Sequence, residues 1–174
     1  MKIRTYPDPV LRRKVRPIRI VTEEIREVIK EMSKLMYVAG GIGLAAPQVG
    51  ISKQLIIMDV GGGLKCFINP KIIKRKGSSV LEEGCLSFPG ITVRIKRAAE
   101  VCVEALDEDG KPVKITGEGL AAHVLQHEID HLHAKLIIDY AGLRDRLRLR
   151  SKLKEFALKH KSEDIKCSVK SKCI

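Results

Sequence analysis

His127, Glu128 and His131 are the residues whose types and spacing most clearly imply chemistry. They form the pattern H-E-x-x-H inside Gln126-His127-Glu128-Ile129-Asp130-His131-Leu132. Helical residues four apart share one face, one turn up, so both imidazoles can reach a single ion. Glu128 follows the first histidine and points to the side, where it can take a proton from water held at that ion. The pattern is that of a metal-dependent hydrolase.

Two histidines do not complete such a site, because a catalytic centre usually has three protein ligands and one open position. Cys85, between Gly84 and Leu86-Ser87-Phe88-Pro89, is the best candidate for the third. A bound metal keeps a thiol deprotonated. Taken locally, Cys85 reads equally well as a buried structural cysteine. His123 lies one turn before His127 on the same stripe. It can support a ligand or line a pocket, but the favoured reading is a partly exposed helix histidine. Asp130 faces away from the ion and reads as a partner to something other than the metal. His133 falls just past the helix.

The chemistry needs elements to hold it. Thr22 reads as the N-cap of an amphipathic helix, with Ile25, Ile29, Met32, Leu35 and Met36 at spacings of three and four, ending near Gly40-Gly41. Gln54 to Val60 and Cys66 to Asn69 read as strands, the second stopped by Pro70. Val80 to Gly84 leads into Cys85. Ile91 to Ile95 and Glu100 to Leu106 look like a pair, and Asp109-Gly110 turns the chain into a strand from Pro112 to Ile115. Thr116 can cap a helix over Glu118 to Leu132 that carries the metal pattern. A last helix is expected from about Asp139 to His160. The fold expected is α+β: antiparallel sheets around a central metal-binding helix, with helices at the N- and C-terminal ends. Residues 1–160 read as one catalytic domain and 161–174 as a basic, mobile tail.

Gly41-Ile42-Gly43-Leu44-Ala45-Ala46-Pro47-Gln48-Val49-Gly50 lacks the G-K-[ST] ending of a phosphate loop. Its small residues let something approach the backbone closely, and a peptide adding as a strand would suit it. A tight glycine turn without a ligand is the plainer alternative.

The 174 residues suffice for one domain with a core, and 44% hydrophobic with 31% charged residues is a globular composition. With 3% aromatic residues and no Trp, a base-stacking platform for single strands is excluded. Net charge is +12, and Arg144 to Ile174 carries eleven Lys or Arg against four Asp or Glu. Such an end attracts anionic surfaces or simply solubilises the chain. No apolar run approaches a membrane span and the N-terminus has no signal-peptide core, so a cytoplasmic location is expected. The five cysteines show no paired spacing, so no disulfide framework is expected. Cys66 and Cys102 read as packed side chains; Cys167 and Cys173 sit in the Lys-rich tail.

Three motifs together, GIGLAAPQVG from Gly41, EGCLS from Glu83 to Ser87 and QHEIDHL from Gln126, resemble the peptide deformylase family. Their order matches that family, as does the opening YPDPVLR from Tyr6, and the resemblance spans residues 3 to 140. It implies removal of the N-terminal formyl group from nascent chains that begin with formyl-methionine. It also implies Cys85 as the third ligand beside His127 and His131, and one divalent metal, natively Fe(II), with zinc, nickel or cobalt able to substitute. Glu128 becomes the acid/base, and the Gln48 amide and Leu86 N–H become donors to the developing oxyanion. The backbone at Ile42 and Gly43 would bind the peptide extended. Ile42, Val124 and His123 would line the methionine pocket. The basic C-terminal helix would dock on the ribosome, through a face carrying Arg146, Arg150 and Lys154. Two positions depart from the family: His133-Ala134 replaces a usual Asn-Gly, and His123 replaces an aliphatic or Arg side chain.

Two other readings compete. H-E-x-x-H alone is shared with zinc endopeptidases, against which Cys85 argues. A non-catalytic, ribosome-bound module would explain the basic end, but Gln48, Cys85 and Glu128 together argue against a decayed site.

Overall fold

The computed structural model describes the backbone of residues 1–170 and the side chains of residues 1–158. The side chains of Cys167, Cys173 and the basic tail 161–174 lie outside the described residues. The architecture is α+β, as expected. An N-terminal segment with a short 3-10 turn leads into α1, Glu23–Val38. The strands β1 (Gly43–Ala45), β2 (Leu55–Met58), β3 (Lys65–Lys76), β4 (Ser79–Gly84), β5 (Thr92–Arg97), β6 (Glu100–Leu106) and β7 (Pro112–Glu118) follow. Then come α2 (Leu120–Leu132), a 3-10 turn (Ile137–Tyr140) and α3 (Leu143–Lys170).

Five strands form an antiparallel sheet in the order β1-β2-β3-β6-β7, while β4 and β5 form a separate two-stranded sheet. Strand alternation sends side chains to opposite faces, and β2 shows why the large sheet carries a helix on each. Leu55 and Ile57 face α1, packing with Ile29, Met32 and Met36. Ile56 and Met58 face α2, packing with Ala122, Val124, Leu125 and Ile129. A third cluster holds the β4–β5 hairpin: Val93 and Ile95 meet Phe88, Leu136 and Leu149 of α3. Along α2, residues 122 to 129 are all buried, so this helix is enclosed rather than one-sided.

Several expectations are corrected. β5 pairs with β4, from Ser79↔Arg97 to Gly84↔Thr92, whereas β6 pairs with β3 and β7. Only Ala98-Ala99 separates β5 from β6, yet the chain changes sheets there. Pro70 does not end its strand. Asn69 takes a positive φ of 53° and the register with β6 shifts between Ile68 and Lys71. A bulge is where a strand tolerates the missing proline N–H, so β3 continues to Lys76. Thr116 lies within β7; the N-cap of α2 is Gly119, whose φ of 53° suits glycine. The last helix begins at Leu143, after the 3-10 turn, and runs past His160.

Candidate metal and active site

Three elements converge beside α2. β1 brings Gly43, followed directly by the 3-10 turn carrying Gln48; the end of β4 brings Cys85 and Leu86; α2 brings His127, Glu128 and His131. Ile42, Gly43, Gln48, Cys85, Leu86, Val124, His127 and Glu128 all line one cavity of about 700 Å³. His131 is buried behind them at 1% exposure.

One ligand atom each from Cys85, His127 and His131 lies within 4.8 Å of the others. Cys85 Sγ is 3.4 Å from His131 Nε2, close to the roughly 3.5 Å separating sulfur and nitrogen ligands around a tetrahedral ion. The His127 and His131 rings meet edge to face with centroids 5.1 Å apart. Burial holds the His131 pKa well below its ordinary value, so the ring is neutral, the form that ligates. Burial also opposes charge on His127, but its contacts with Cys85 and Glu83 outweigh this and raise its pKa well above the ordinary value. A thiol sulfur and two imidazoles gathered at ligand spacing suit a divalent cation. The donor set therefore fits a metal.

Glu128 is 4% exposed, and its Oε2 is buried without a hydrogen-bond partner. Burial pushes this carboxyl up to about 7, so it can hold or release a proton near neutrality. Gln48 is fixed by its surroundings. Its Oε1 accepts from the Ala45 N–H at 2.7 Å, which orients Nε2 to donate toward Cys85 Sγ at 3.4 Å and Ser87 Oγ at 3.3 Å. The Gln48 N–H donors thus sit beside the sulfur of the expected metal ligand.

The Ile42 carbonyl accepts from the Asp59 N–H at 2.9 Å. Peptide groups alternate direction along an antiparallel ladder, so those of Gly43, paired with Met58, face away from β2. Since β1 is an edge strand, an extended peptide can pair there. Glycine is required by close approach as well: a Cβ on Gly43 would meet Val124 Cγ1 at 2.9 Å, and one on Gly41 would meet Leu86 Cδ1 at 2.7 Å. Val124 is 7% exposed, whereas Ile42 stands at the mouth at 44%.

The residue that sequence reasoning left without a role is Glu83. Its carboxylate accepts from Arg97 Nε at 2.6 Å and Nη2 at 3.0 Å, from His127 Nδ1 at 3.0 Å and from His123 Nδ1 at 2.8 Å. Burial disfavours its charge, but these donors outweigh that and bring its pKa down to about 2. Because Nδ1 of His127 donates to Glu83, Nε2 is left to ligate. Arg97 also donates to Asp130 Oδ2 at 2.7 Å, and the Tyr140 hydroxyl donates to the same oxygen at 2.7 Å. Asp130 thus supports the network behind the site, as its direction on α2 implied. His123 is corrected outright: it is 2% exposed, not a partly exposed surface histidine, and it also lines the cavity. A signal for Arg97 was present, since Val93, Ile95 and Arg97 occupy the same face of β5. An arginine in a buried series demands an acid.

A sequence model of polypeptide deformylase matches residues 1–146. The peptide deformylase of Halothermothrix orenii is 48% identical over 141 residues, covering 80% of this chain and 92% of its own. That of Thermotoga maritima is 45% identical over 157 residues, covering 90% and 96%. The crystal structure of a peptide deformylase from Legionella pneumophila superposes with a TM-score of 0.85 at 42% identity, covering 91% of this chain and 96% of that one. The chain belongs to the polypeptide deformylase family.

Proposed function

We infer that the cavity beside α2 is where this chain deformylates its substrate: it removes the N-terminal formyl group from formyl-methionine of nascent polypeptides and releases formate. The observation that carries this reading is the meeting of Cys85, His127 and His131 with the buried Glu128 carboxyl at the wall of a cavity bordered by the Gly43 edge. A divalent ion held by the three ligands would supply Lewis acidity and an acidified water.

The chain's own residues do the rest. The peptide adds along β1, its main chain pairing with Gly43, and the methionine side chain enters the apolar wall formed by Ile42 and Val124. Glu128 takes a proton from the attacking water as its oxygen bonds to the formyl carbon. Negative charge develops on the formyl oxygen, where Gln48 Nε2 and the Leu86 N–H donate to it. Glu128 then delivers its proton to the amine nitrogen as the C–N bond breaks. The products are formate and a free N-terminal amine, so one water is consumed per formyl group.

Fe(II) is the native metal in this proposal, as the family resemblance implies; a thiolate with two imidazoles is compatible with it as with zinc, nickel or cobalt. The basic face of α3 with Arg146, Arg150 and Lys154 supports docking on the ribosome, which would place the enzyme in the translating compartment. Among the described residues no helix is long and apolar enough to cross a membrane.

The test is formate release from a formyl-Met peptide by anaerobically purified protein of measured metal content. Iron-loaded protein should turn over, and Glu128→Ala should keep the metal and lose turnover. No formate with either iron or nickel loaded would sink the assignment.

A further inference from the structure

Glu83 stands two residues before Cys85 on β4, and α2 carries the other two ligands. Its carboxylate is therefore a joint between the segments that must meet at the metal. A carboxylate offers about four acceptor positions, and here all four are taken. Each oxygen receives one guanidinium N–H of Arg97 and one imidazole N–H: His123 on Oε1, His127 on Oε2. His123 and His127 are one turn apart on α2, so the helix grips one carboxylate with two rings.

The second nitrogen of His123 extends the joint. With Nδ1 directed at Glu83, the other ring nitrogen faces Ser79, whose Oγ lies 2.7 Å from Nε2. Ser79 opens β4 and is the cross-strand partner of Arg97. Ser79, His123, Glu83 and Arg97 thus close a loop that fastens the start and end of β4 to α2. Losing His123 would release one contact on Glu83 and the anchor of Ser79. The strand that presents Cys85 could then shift relative to His127 and His131.

We propose that His123, held by Ser79, is a positioning residue for the metal site: it fixes Glu83, and through it the placement of Cys85 against the α2 histidines. The proposal rests on the reading of Cys85, His127 and His131 as ligands.

The experiment loads the full-length protein with Co(II) and follows its visible absorption and the rate of transfer to a chelator. His123→Leu should release Co(II) about 10- to 100-fold faster than wild type, with an altered ligand-field spectrum. Its kcat for a formyl-Met peptide should fall as well. His123→Asn, whose amide N–H can replace Nδ1–H toward Glu83, should return release toward the wild-type rate. Ser79→Ala should accelerate release without removing a contact on Glu83, and it decides the matter if His123→Leu does not fold. Wild-type release and spectra in folded His123→Leu, or in Ser79→Ala where the former does not fold, would overturn the proposal. If wild type itself takes up no Co(II), the ligand reading fails and the proposal with it.

Discussion

The carboxyl of Glu128 packs directly over the main chain of Gly43, so that a Cβ at position 43 would overlap Glu128 Oε1. The edge strand that faces the cavity and the proposed acid/base on α2 are thereby set at a fixed separation. Gly43→Ala cannot be absorbed by a flexible side-chain end alone, because Val124 Cγ1 crowds the same point at 2.9 Å. The variant should retain the three ligands and bind metal, yet lose activity by about 10²-fold or more, the scale expected when a catalytic group is displaced by about an ångström. Metal content and kcat measured on the same preparation check this. Full activity in Gly43→Ala would show that Glu128 does not work from this position.

Gln48 should separate chemistry from binding. Its Nε2 is aimed by the Ala45 N–H bond to Oε1, so it is a preorganised donor. Such a donor contributes only as charge appears on the formyl oxygen. Gln48→Leu should lower kcat by about 10²–10³, with KM nearly constant. A rise in KM at unchanged kcat would place Gln48 in ground-state binding instead. Gln48→Glu also keeps an acceptor for Ala45 but removes the donor, so its kcat should fall similarly.

The site was more legible than the frame that holds it. H-E-x-x-H is a local pattern, and the helix that makes it meaningful follows from the same dozen residues. Cys85 lies 42 positions upstream of His127, and local reasoning left it undecided; only the joint presence of three motifs singled it out. Glu83 was in plain view within EGCLS, but its role depends on Arg97, His123 and His127 arriving from other elements. A β5–β6 pair was expected because two strand-like runs separated by four residues look like a hairpin. What overrides that appearance is Arg97, whose guanidinium must follow Glu83 to α2, and the apolar Val93 and Ile95, which belong to the cluster under α3. His123 shows the same limit. A histidine on a helix reads as half exposed until both ring nitrogens are seen to have partners, one of them the buried Glu83.

Pro70 was expected to stop a strand, and the reason it does not is itself testable. Asn69 takes the left-handed conformation, its side chain accepting from the Ile18 N–H at 2.9 Å and donating to the Ile18 carbonyl at 2.7 Å. Those two bonds replace strand pairing at the bulge and anchor the segment before α1 to β3. Asn69→Ala loses both, and alanine lacks the asparagine tolerance for positive φ. A cost of about 2–3 kcal/mol is expected, from two hydrogen bonds at about 1 kcal/mol each plus backbone strain. Asn69→Gly, which loses the same two bonds but relieves the strain, should recover part of it. Equal stability of Ala and Gly variants in denaturant titrations would assign the whole loss to the side chain.

The exit of α2 is tied to the N-terminal segment by Arg12, and this tie should depend on pH. Arg12 Nη2 donates to Asp139 Oδ1 at 2.7 Å, Arg12 Nη1 donates to the Ala134 carbonyl at 2.8 Å, and the Leu136 N–H donates to Asp139 Oδ2 at 2.9 Å. Burial alone would raise the Asp139 pKa, but these donors, Arg12 foremost, hold it below the ordinary carboxylate value. A carboxyl with a depressed folded pKa contributes stability above its unfolded pKa of about 4 and loses it as pH falls through the folded value. Both side chains are more than a third exposed, 43% and 37%, so solvent screening keeps the contribution to about 1 kcal/mol. Asp139→Asn should therefore be less stable than wild type by about that amount near pH 7, and the gap should narrow as pH falls below the unfolded carboxyl value of about 4. It should also narrow in about 1 M salt, where the screening length falls to about 3 Å. A gap that holds constant across both titrations would mean that Asp139 acts through its bond to Leu136 and not through its charge.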